Sequence, residues 1–71
     1  MAVWELLNKM TNNDFEIDLF RVDEDKKYYR LGRFYNQEEM MSYLTMRVQT
    51  FHILMNNGGY NFTIEIIAEA A

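Results

Sequence analysis

The chain has no cysteine and a single histidine in 71 residues, so neither a disulfide nor a zinc site can hold it together. A domain this short buries a small share of its surface. Ordering it costs on the order of 1.5 kcal/mol per residue, which core burial only roughly offsets. What remains is efficient packing or association with a second subunit. Hydrophobic residues make up 49% of the chain and aromatics 15%, so the packing material is present. The length suits one domain over residues 1–71 and is too short for two.

Charge narrows the function classes. Seven basic residues face eleven acidic ones, giving a net charge of −4 and a pI near 4.8. General nucleic-acid binders draw most of their affinity from phosphate neutralisation by a basic surface. An acidic chain is repelled by nucleic acid at long range and suits a protein partner with a basic surface. No basic segment precedes an apolar run, and no apolar run is long enough to span a bilayer. Together with the missing cysteines, this makes a cytoplasmic protein without a membrane the expectation.

Periodicity predicts an α+β fold in the order αββαβ. Val3, Leu6, Leu7 and Met10 recur at helical spacing, so a short N-terminal helix covers 3–10. Residues 15–22 alternate apolar and polar, as a half-buried strand does, and 27–34 return as a second strand. With Asp23, Glu24 and Asp25 as the turn, Leu19 would face Tyr29, Ile17 would face Leu31, and Asp18 would oppose Arg30. Gly32 is placed to mark a bulge. Asn36 followed by Glu39 has the form of a capping box, and Tyr35 with Met40 the form of a hydrophobic staple. From there a long helix is predicted over 37–56, with Met40, Leu44, Val48, Phe51 and Met55 on one stripe and Asn57, Gly58 and Gly59 as its stop. Residues 60–68 alternate again. The expected assembly is a three-stranded antiparallel sheet in the order 2-1-3, with the long helix on one face.

Several features could carry chemistry, and most have a plain structural reading. His52 has no serine, cysteine or carboxylate placed beside it by periodicity, and nucleophilic catalysis needs such a partner. Asp23–Asp25 lack the spacing, central glycine and final glutamate of a calcium loop. Asn56 to Gly59 follow a helix in this reading, whereas phosphate loops precede one. No enzyme, metal or cofactor is expected. Arg21, Lys26, Lys27, Arg30 and Arg33 interleave with Phe20, Tyr28, Tyr29, Phe34 and Tyr35 on the hairpin. Such a mixture can stack bases and contact phosphates, but the arginines can equally pair with Glu16 and Asp18. Residues 28–44 resemble the end of the small sheet domains of phage integrases, in which a basic aromatic strand, a glycine and a Phe precede an acidic helix start. The chain departs from those domains in net charge and in the strand after the helix, and neither fold nor function is taken from them.

The leading expectation is a small acidic protein-binding module that occupies another protein's surface. An inhibitor of a nuclease or other nucleic-acid enzyme, encoded by a phage or mobile element in the manner of anti-CRISPR proteins, is its most concrete form. Asp23, Glu24, Asp25, Glu38 and Glu39 would supply charge, with Tyr28, Arg30 and Tyr35 as anchors. Phe20, Tyr28, Arg30 and Ile67 would point away from the long helix. Met46 and Ile53, opposite that helix's core stripe, would serve self-association in a homodimer or pack against the first helix. The alternative is a homodimeric accessory or regulatory domain that binds nucleic acid through the basic-aromatic hairpin.

Overall fold

A computed structural model describes residues 1–10, 15–55 and 62–69. Its elements are α1 (Val3–Asn8), β1 (Phe15–Val22), β2 (Tyr28–Phe34), a 3-10 segment (Glu38–Tyr43), β3 (Arg47–Met55) and β4 (Phe62–Glu69). The four strands form one mixed sheet in the order β2-β1-β4-β3. β1 runs antiparallel to β2 and parallel to β4, and β3 runs antiparallel to β4.

This corrects the predicted fold. The long helix over 37–56 does not form: its first part is the short 3-10 segment and its second part is β3. Residues 47–55 (RVQTFHILM) are rich in β-branched and aromatic side chains, which fit a pleated surface better than a helix. The strand over 62–69 does lie beside β1, but parallel to it rather than antiparallel. That follows from β3, which pairs with β4 and reverses its direction relative to the predicted pairing. β2 and β3 therefore run parallel at opposite edges, and parallel strands need a long crossover. Residues 35–46 make it, and Met40 in the 3-10 segment is fully buried on the way. The expected helix stop at Asn57 to Gly59 lies outside the described residues.

The hairpin register also differs. Asp23 N–H donates to the Lys27 carbonyl at 3.1 Å and Lys26 N–H donates to the Asp23 carbonyl at 3.0 Å. The loop is therefore Glu24, Asp25 and Lys26, with Lys26 in the left-handed region at φ 62°. This is the three-residue hairpin in which a type I turn is followed by a left-handed residue. Val22, Arg21 and Phe20 face Tyr28, Tyr29 and Arg30. Beyond them Leu31 is an extra residue in β2, and Leu19, Asp18 and Ile17 face Gly32, Arg33 and Phe34. The expected bulge at Gly32 is present, and it carries the register away from the expected pairs. Gly32 sits at φ 151° with the Phe34 ring packed over it, where an added Cβ would lie 3.1 Å from Cζ.

One face of the sheet carries the core. Ile17 and Leu19 lie beside Ile64 and Ile66, and Val3, Leu6 and Leu7 of α1 cover them together with Met40 and Met46. The apolar stripe of α1 is thus the one that periodicity indicated. Glu5 accepts a hydrogen bond from the Ala2 N–H at 3.0 Å and closes the helix start. Val3 N–H donates to the Met46 carbonyl at 2.9 Å, and Val48 N–H donates to the Met1 carbonyl at 2.7 Å, which ties the N-terminus to the first residues of β3. Among the described residues no helix is long and apolar enough to cross a membrane.

Candidate functional site

The other sheet face is set by the alternation in β1. Residues paired across a sheet point to the same side, so the register lines up two transverse rows. One is Arg33, Asp18, Glu65 and His52; the next is Arg30, Phe20, Ile67 and Thr50. The core cluster that includes α1 and Met40 lies on the opposite side. Phe20, Arg30 and Ile67 thus point away from the covered face, as the sequence indicated.

Asp18 organises this surface. Its side chain is 11% exposed. Arg33 Nε donates to Oδ1 at 2.8 Å and Nη2 to Oδ2 at 3.1 Å, while Arg30 Nη2 donates to Oδ1 at 3.3 Å. Arg33 Nη1 also lies 3.0 Å from Glu16 Oε2. Bidentate guanidinium pairing of this kind is among the stronger polar contacts. The Arg33 hydrogen bonds hold the Asp18 carboxyl below its ordinary pKa against the opposing effect of burial, and the nearby charges of Arg33 and Arg30 add to them. The same contacts push the Arg33 guanidinium upward. Arg30 and Arg33 are therefore engaged within the sheet.

The hairpin loop presents acids in two different situations. Asp23 is built into the turn: its Oδ1 accepts from Lys27 N–H at 2.9 Å and its Oδ2 from the Tyr29 hydroxyl at 3.1 Å. The Lys27 bond is the main cause of its lowered pKa, and the bond to Asp23 in turn raises that of Tyr29. Glu24 and Asp25 at the tip are exposed. Beside them lies an open depression of about 500 Å³ lined by Arg21, Val22, Asp23, Glu24, Asp25 and Glu69. Four carboxylates and one guanidinium border it.

The remaining candidate residues follow β2. Tyr28 is 62% exposed at its start, and Tyr35 is 61% exposed just beyond its end. Next to Tyr35, Asn36 Oδ1 accepts from Glu39 N–H at 3.0 Å, and Glu39 Oε1 accepts from Tyr35 N–H at 2.8 Å. Of the expected capping box, the Asn36 half is made, whereas Glu39 reaches back to the Tyr35 N–H and not to that of Asn36, and the turn they open is 3-10. Tyr35 stays exposed while Met40 is buried, so the predicted staple between them is not made. Glu38 is exposed. The acids at the loop and those near Tyr35 thus sit at the two ends of a seven-residue strand, roughly 20 Å apart at about 3.3 Å per residue. They form a rim along β2, not one compact patch.

The self-association pair is not brought together. Met46 is buried in the core, whereas Ile53 is 55% exposed on β3. Helical spacing placed them on one face; a bend and a strand separate them. The surface that the sequence reading missed is β3 itself, where Phe51, Ile53 and Met55 are 39%, 55% and 77% exposed. These three share the core side of the sheet but extend past its cover, and Leu54, also exposed, lies on the other side. The signal that could have found it is the density of Val, Thr, Phe and Ile within 47–55.

His52 is the cross-strand neighbour of Glu65 on the open face. Among the described residues no three His, Cys, Asp or Glu side chains are gathered in a way that could hold a metal ion. Compared with protein-family models, with curated proteins and with solved structures, the chain matches none of them.

Proposed function

We propose that this chain is a protein-binding module whose contact surface is the rim along β2, and that its partner presents basic side chains. The observation that carries this reading is the depression beside the hairpin, bordered by Asp23, Glu24, Asp25 and Glu69 with Arg21 as the one cation. A Lys or Arg of a partner would meet net negative charge there. Tyr28 stands next to it, exposed, as an aromatic able to bury area at low entropic cost. The net charge of −4 extends the attraction beyond contact range and favours fast encounter. Inhibition of a nuclease by a phage or mobile-element protein is the narrower form of this proposal, and it is supported by charge alone.

The competing nucleic-acid reading loses support from the same geometry. Arg30 and Arg33, two of the five cations on the hairpin, are paired with Asp18 and Glu16. Counterion release requires cations available to phosphate.

The test is retention of proteins from the native cell by immobilised wild-type chain and by the Glu24→Lys, Asp25→Lys double variant at low and high salt. The proposal expects a basic protein held by the wild type at low salt and released by salt or by the double variant. Equal retention by both chains would contradict it. So would a mobility shift of DNA or RNA by the folded wild type.

A further inference from the structure

We draw no further inference here: the strongest candidate, the patch of exposed Phe51, Ile53 and Met55 along β3 at the edge of the sheet, carries none, because nothing in the structure shows what covers it.

Discussion

Arg33 grips Asp18 through two parallel hydrogen bonds, Nε to Oδ1 at 2.8 Å and Nη2 to Oδ2 at 3.1 Å. The pair ties β2 to β1 on the face of the sheet that lacks the core, directly beside the bulge. Removing one partner leaves the other with unmet polar atoms near a largely buried position. Asp18→Asn should lower the unfolding free energy by about 1–3 kcal/mol in urea melts. Arg33→Lys should also destabilise, because an ammonium cannot make the paired contacts of a guanidinium. A double-mutant cycle over the two positions should give a coupling energy of about 1 kcal/mol or more. Additive single-variant effects would show that the contact is not made.

The same contact predicts the acid limb of stability. The Asp18 pKa is lowered in the folded state, first by the Arg33 hydrogen bonds. The unfolded chain therefore binds its proton at a higher pH than the folded chain does. The stabilisation is fully present above the unfolded carboxyl pKa, about 3.9, and is lost as pH falls below it through the lowered folded value. Unfolding free energy should drop with acid in that window, and the drop should be smaller in Asp18→Asn. Identical acid profiles for the two proteins would exclude Asp18 as the source.

Lys26 holds a left-handed backbone conformation at φ 62° in the hairpin loop. That conformation strains a residue with a Cβ and suits glycine. Lys26→Gly should stabilise the protein by about 0.5–1 kcal/mol, measured as a higher denaturation midpoint with an unchanged slope. A destabilised variant would mean that the loop has another form.

Gly32 makes the opposite prediction. Its φ of 151° and the Phe34 ring, 3.1 Å from where a Cβ would sit, leave no easy place for a side chain. Gly32→Ala should cost about 1–2 kcal/mol and loosen the packing of Phe34 against Tyr43, whose ring centroid lies 5.8 Å away. The near-ultraviolet circular dichroism of the aromatic cluster reports on it.

The first half of the fold was legible in the sequence, because α1 and β1 each show one clean period. Val3, Leu6 and Leu7 repeat at helical spacing, and Phe15, Ile17 and Leu19 alternate. The second half was not, and a bulge is the reason. Gln49 is the extra residue in β3, so Val48 and Phe51, paired with Ala68 and Ile66, share a face although they are three apart. A spacing of three is the signature of a helix, and here a strand counterfeits it. Once a helix is assumed at 37–56, β4 loses its true neighbour and its parallel pairing with β1 becomes invisible. The site suffered in proportion. Candidate residues at the tip of the hairpin kept their exposure, while Met46, assigned to a surface, fell into the core and the exposed side chains of β3 went unseen.

Whether residues 47–55 are a strand at the edge of the sheet decides both the position of the β2 rim and the exposure of Phe51, Ile53 and Met55. Interproton contacts in solution test it most directly. Strong contacts between the backbone of Phe51 and that of Ile66, and between Ile17 and Ile64, are expected from the register. Sequential helical contacts running from Met40 through Met55, with none between Phe51 and Ile66, would contradict it.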